Sequence, residues 1–243
     1  MKKNFSGFTL VEISIVMIII GLLIGGTFGG MKLVENMQVN KTVQDLKAIE
    51  AAGVTFKDTY GRLPGDITNP STRLPNCTTA PCSTGGNGNR IIGTWYWSSN
   101  QAATDETFTF WSHLLAADLI SFGIKNTTDL NFGEGQPEMA IGGGMRMNFN
   151  NVGWNATSIG ACPQIYGGAF FFLTGEASGN ATNATTGITI SCRAMRSMDT
   201  KIDDAMPLSG NMQAGQCLAA YACGTGWSTT STATLGSYDL RGF

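Results

Sequence analysis

Charge is scarce in this chain. Only 13% of the 243 residues are Asp, Glu, Lys or Arg, about half the roughly 25% of an ordinary globular domain. Histidine occurs once, as His113. There is no G-x-S-x-G, no H-E-x-x-H and no Walker-type phosphate loop. A lone histidine with no marked nucleophile or orienting carboxylate argues against triad chemistry, so His113 reads as structural. No enzymatic activity, resident metal or cofactor is expected. Basic charge is short as well: from residue 61 onward nine Lys/Arg face twelve Asp/Glu. Arg193, Arg196 and Lys201 are close in sequence but are offset by Asp199, Asp203 and Asp204. A nucleic-acid partner is therefore not expected. Those three aspartates are oxygen ligands at close spacing, but the EF-hand pattern is absent, and the expected state is a solvated acidic turn.

Cysteine is absent from the first 76 residues. All six follow: Cys77, Cys82, Cys162, Cys192, Cys217 and Cys223. An even count confined to one region suggests disulfides in an oxidising compartment. A zinc site is the weaker reading, since no C-x-x-C pair occurs. Fifteen connectivities are open; short loops favour Cys77–Cys82 and Cys217–Cys223, which leaves Cys162–Cys192.

What the chain has in abundance is an apolar start. From Ile13 to Met31 no residue is charged, and Phe8–Val11 extends the run, interrupted only by Glu12. As a helix it would be roughly 36 Å long, enough for ~30 Å of hydrocarbon. Lys2 and Lys3 precede it, which places the N-terminus in the cytoplasm and the cysteines outside. A secretory signal carries its small-residue cleavage site after the apolar run. Here the small residue, Gly7, precedes it, so cleavage after Gly7 would leave the helix on the mature chain. Glu12 would cost about 2.5–3.5 kcal/mol near the centre of a membrane and less at its edge. It reads either as a tolerated interfacial carboxylate or as the partner of a freed Phe8 amine, most usefully that of a neighbouring copy.

Gly7-Phe8-Thr9-Leu10-Val11-Glu12, after a short basic leader and before the apolar run, closely resembles the prepilin motif of type IV pilins and type II secretion pseudopilins. The resemblance covers about the first thirty residues. It implies cleavage between Gly7 and Phe8 by an inner-membrane prepilin peptidase, N-methylation of Phe8 by the same enzyme, and pairing of Glu12 with the neighbour's amine in a filament. It implies partners as well: other pilins, the inner membrane and a pilus assembly platform. The seven-residue leader is similar to those of type IVa pilins and pseudopilins. Where many relatives carry a helix-breaking proline this chain has Gly29; their glycine is kept as Gly21. Gly25, Gly26, Gly29 and Gly30 could either bend the helix or let another helix approach.

Beyond Lys32, apolar residues recur at Val39, Val43, Leu46, Ile49, Phe56 and Tyr60, a helical stripe. One helix is predicted from Phe8 to about Tyr60, ended by Gly61. Residues 67–104 read as a long loop pinned by Cys77–Cys82, in which Trp95-Tyr96-Trp97 is a small core or a contact surface. Residues 106–122 read as a second helix. Met145–Asn150 and Ile165–Leu173 read as strands, and Ile188–Cys192 as a third strand or the lead-in to a helix over 193–206. Residues 224–243 read as an exposed tail. Sequons such as Asn180-Ala181-Thr182 fit chance in so Asn/Thr-rich a chain.

The expected fold is α+β: a long N-terminal helix packed on a small antiparallel sheet and stapled by disulfides. The expected organisation is a leader over 1–7, a membrane-spanning half-helix over 8–31, an amphipathic half over 32–60 and a periplasmic or extracellular head over 61–243. The expected function is a structural filament subunit. A secretion pseudopilin, or a minor pilin whose head binds a surface or takes up DNA, is the alternative. The expected place is a single-pass inner-membrane precursor, then a filament.

Overall fold

The computed structural model describes residues 9–93, 102–121, 123–150, 154–155, 164–165, 168–174, 190–206, 209–213, 232–233 and 235–239. The chain divides into two compact units, Met1–Gln38 and Val39–Phe243. Helix α1, Leu10–Tyr60, contributes to both. Its first part is apolar on every side, and its described large hydrophobic side chains between Leu10 and Met37 are 44–91% exposed. The helix runs unbroken through Gly25, Gly26, Gly29 and Gly30. It stops where Gly61 takes φ +68° and donates its N–H to the Lys57 carbonyl at 2.8 Å, a left-handed cap that glycine adopts without Cβ strain.

In the second unit, the stripe Val39, Val43, Leu46, Ile49 and Phe56 is 0–7% exposed. It joins a core built with helix α3, Glu106–Ala116, and the inner face of a sheet. Helix α2, Pro70–Arg73, is one short turn. Strands β1 (Gly144–Asn150), β4 (Gly168–Thr174), β6 (Met212–Gln213) and β8 (Leu235–Asp239) form the sheet in the order β1-β4-β8-β6, each pair antiparallel. Strands β2 (Trp154–Asn155) and β3 (Gln164–Ile165) pair separately, as do β5 (Ile190–Ser191) and β7 (Thr232–Ala233).

The register is fixed by what faces inward. Met147, Phe171, Tyr238 and Met212 lie opposite one another across all four strands, and each is at most 3% exposed. A slip of one residue on any strand would turn its inward set out to water. Phe171 stacks on Trp111 with ring centroids 5.5 Å apart and meets Phe110 edge-on at 6.0 Å, so α3 covers this face. Tyr238 Oη donates to Glu50 Oε2 at 2.7 Å, which ties β8 to the later part of α1.

Two sequence expectations fail here. The second helix does not reach residue 122. Asp118 adopts φ +58°, its N–H bonds the Leu115 carbonyl, and the Leu119 N–H bonds the Leu114 carbonyl. This is a Schellman closure, with Leu119 folded back as its apolar contact. The stretch 224–243 is not all exposed tail, because β7 and β8 lie in it and Tyr238 is 3% exposed.

Helix α4, Cys192–Ile202, starts at Ser191, whose Oγ accepts the Ala194 N–H at 3.1 Å. Ser191→Ala should cost about 1 kcal/mol. That corresponds to a fall in Tm of about 2–4 °C by thermal unfolding, whereas Ser191→Asp should keep the cap and the wild-type Tm.

Candidate functional site

The start of α1 carries the chemistry singled out in the sequence. Thr9 precedes the first helical residue, and Glu12 is the third within it. Thr9 donates to Glu12 Oε2 twice, from its N–H at 2.8 Å and from its hydroxyl at 3.0 Å. In return the Glu12 N–H donates to Thr9 Oγ1 at 3.3 Å. This is a reciprocal capping box, which satisfies N–H groups that the first helical turn leaves without partners. Glu12 therefore has a role inside its own helix before any second chain is considered. The sequence reading missed Thr9, although the Thr-x-x-Glu spacing was the available signal. Gly7 and Phe8 lie outside the described residues.

Residues 2–28 match the family described as the prokaryotic N-terminal methylation motif. The chain carries the type IV pilin and pseudopilin signature. No curated protein and no solved structure matches the chain. The signature implies processing by a prepilin peptidase and assembly with other pilins in general terms. Together with α1, whose most apolar stretch has a mean hydropathy of 2.4, it is consistent with membrane anchoring.

The glycines of α1 fit a surface kept clear for another helix. Gly21, Gly25 and Gly29 recur every fourth residue, which places them along one face. A Cβ added at any of them would meet nothing within 4 Å. Their small size therefore serves no packing among the described residues.

The cysteines are placed in part. Cys77 and Cys82 form a buried disulfide with Cα atoms 5.2 Å apart. Cys192 is disulfide-bonded; Cys162, Cys217 and Cys223 lie outside the described residues. So do Trp95-Tyr96-Trp97 and the Asn180 sequon.

His113 is fully buried on α3. Its Nδ1 accepts the Gly65 N–H at 2.8 Å, so the proton sits on Nε2, which donates to the Cys82 carbonyl at 2.9 Å. Burial holds its pKa down to about 4 against the weaker opposing pull of the Cys82 and Thr84 backbone. The same loop is held by other side chains that take backbone donors. Asp66 Oδ2 accepts from Arg90, Glu106 Oε1 and Oε2 accept from Asn87 and Gly93, and Asn126 Oδ1 accepts from Cys82. A segment without regular structure needs such partners for its N–H groups.

The acidic turn differs from the sequence expectation. Asp203 and Asp204 are partly or fully exposed, but Asp199 is 0% exposed. The reason is helical phase: Asp199 falls on the buried stripe with Cys192, Met195 and Met198. Burial first, then the neighbouring charges of Asp204 and Asp203, push its carboxyl up to about 7. A hydrogen bond from the Ala205 backbone N–H offsets this in part.

Proposed function

We propose that this protein is the precursor of a structural subunit of a type IV pilus-like filament. The observation that carries the reading is the methylation motif at residues 2–28 placed on a helix whose apolar side chains are exposed all round. A chain that presents so much apolar surface needs lipid or copies of itself to cover it. Glycines at every fourth position would let a neighbouring helix approach closely.

In this reading a prepilin peptidase cleaves between Gly7 and Phe8 and methylates the new amine. The half-helix over 8–31 anchors the subunit in the inner membrane with its head outside the cytoplasm. The subunit then leaves the bilayer for the filament, its apolar surface passing from lipid to neighbouring helices. Glu12 pairs there with the Phe8 amine of the next subunit, which sets the axial step. The protein performs no turnover chemistry.

The test is intact mass and N-terminal peptide analysis of the chain from native membranes and sheared filaments. The expected product starts at Phe8 and carries one methyl group on its amine. Filaments built from a chain that still starts at Met1 would sink the reading.

A further inference from the structure

Asparagine is followed by glycine once in this chain, at Asn87-Gly88. The pair sits in the loop over 85–93, and Asn87 is exposed. The loop is fastened to the head on both sides of the pair. Gly86 donates its N–H to the Ile67 carbonyl at 3.0 Å, and a Cβ on Gly86 would come within 2.3 Å of the Gly65 carbonyl oxygen. On the far side Arg90 donates its N–H to Asp66 Oδ2 at 2.8 Å, and Ile92 is fully buried. Glu106, the first residue of α3, holds both arms. Its Oε1 accepts the Asn87 N–H at 2.8 Å, and its Oε2 accepts the Gly93 N–H at 2.6 Å. At the pair itself the Asn87 side chain turns along the chain, and its Oδ1 accepts the Asn89 N–H at 2.9 Å. Gly88 takes φ +75°, and its N–H has no acceptor among the described residues. Arg62 Nη1 donates to the Gly88 carbonyl at 2.7 Å.

We propose that Asn87 is a site of spontaneous deamidation, with the fold itself supplying what the reaction needs. The Gly88 nitrogen gives up its proton to solvent and attacks Asn87 Cγ. The Cγ–Nδ2 bond breaks, the departing nitrogen takes up a proton and leaves as ammonia, and a five-membered succinimide remains. Water then opens the ring at Cγ to give aspartate, or at the backbone carbonyl to give isoaspartate. Four features of the turn favour the first step. The Asx turn of Asn87 lays its side-chain carbonyl along the backbone beside Gly88. The Asn89 N–H polarises that carbonyl and stabilises the oxyanion that attack creates. The Arg62 guanidinium puts positive charge beside the nitrogen that must become negative. Glycine has no Cβ to bar the approach. The products undo the fastening. Either one adds negative charge next to the Glu106 carboxylate, and isoaspartate also adds a methylene to the backbone of a loop held at both ends. The Asn87–Glu106 hydrogen bond is the contact expected to be lost. The inference does not depend on the filament reading.

The test incubates the full chain in detergent micelles at pH 7.5 and pH 6, beside a free peptide spanning residues 84–91. Peptide mass spectrometry follows ammonia loss and the aspartate and isoaspartate products at each asparagine. Asn87 is expected to react at least about tenfold faster than any other asparagine, all of which precede a residue with a side chain. It should react no more slowly than in the peptide. The rate should fall from pH 7.5 to pH 6, because the attacking nitrogen must be deprotonated. Arg62→Gln, which can still donate to the Gly88 carbonyl, should slow it about fivefold. The aged protein should lose about 2–4 °C of Tm. Asn87→Gln, whose longer side chain would have to close a six-membered ring, should pass through the same incubation unmodified and with its Tm unchanged. Asn87 still intact in the folded chain after the peptide has turned over would overturn the proposal. So would faster loss at another asparagine, a wild-type rate in Arg62→Gln, or an equal fall of Tm in Asn87→Gln.

Discussion

Glu12→Gln is expected to reach the membrane, fold its head normally and be lost from sheared filaments. The substitution separates two roles that Glu12→Ala would remove together. Within its own chain Glu12 closes a capping box with Thr9, and glutamine at the same helical position can accept the same hydrogen bonds. What glutamine cannot supply is the negative charge that would meet the neighbour's amine. Removing one partner of a buried ion pair costs about 3–5 kcal/mol, because the other charge is left uncompensated. That is on the order of 10²–10⁴-fold at each subunit addition, enough to abolish incorporation. Thr9→Ala makes the complementary change: it keeps the charge and removes the hydroxyl, at a cost near 1 kcal/mol, and should reduce incorporation only modestly. Immunoblots of sheared and cell-bound fractions would read both. If Glu12→Gln incorporates normally while Thr9→Ala does not, the carboxylate serves as a helix cap and the charge-pairing idea fails.

The two ends of α1 show what was readable. Glu12 is the only charged residue between Lys3 and Lys32, so it stood out against its background without any structure. The stripe Val39–Phe56 was readable because one period of 3.6 persists through it and burial follows the stripe. Gly61 marked the stop because a glycine costs nothing at positive φ. The end of α3 was misread for a physical reason. Leu119 and Ile120 continue the helical spacing, but they do so after the chain has reversed at Asp118, and their apolar contacts close the cap rather than extend the helix.

Strand β8 was hidden differently. Leu235–Asp239 holds two large apolar residues among Gly, Ser and Asp. Its place between β4 and β6 comes from backbone pairing with segments more than twenty and sixty residues away, which composition does not report. Asp199 was misjudged because its charge was read before its phase: counted from Cys192 along α4, it falls on the buried face. The capping box is legible in the Thr9-x-x-Glu12 spacing.

His113→Leu should cost about 3 kcal/mol or more, although the two side chains are close in volume. The ring both accepts and donates. It takes the Gly65 N–H on Nδ1 and gives its Nε2 proton to the Cys82 carbonyl. Leucine would orphan both buried backbone groups at about 1–3 kcal/mol each. The carbonyl belongs to the disulfide-bonded Cys82, and the amide belongs to Gly65, whose φ of +87° brings the turn against the first residue of α3. His113 thus joins the turn after α1 to the disulfide loop. Its pH signature distinguishes this role from plain packing. Burial lowers its pKa from 6.5 to about 4, so below pH 6.5 the unfolded chain binds a proton that the folded chain refuses. The stabilisation from His113 is therefore complete above pH 6.5 and is lost as pH falls towards 4, in total on the order of 3 kcal/mol. Urea unfolding of wild type and His113→Leu at pH 7.5, 6 and 5 should show the wild-type advantage shrinking steadily. His113→Gln, which keeps one donor and one acceptor, should recover part of the stability at pH 7.5 but none of the pH dependence. An advantage that stays constant from pH 7.5 to 5 would mean that the ring takes up its proton as readily in the folded chain as in the unfolded one, and that its hydrogen bonds are not those described.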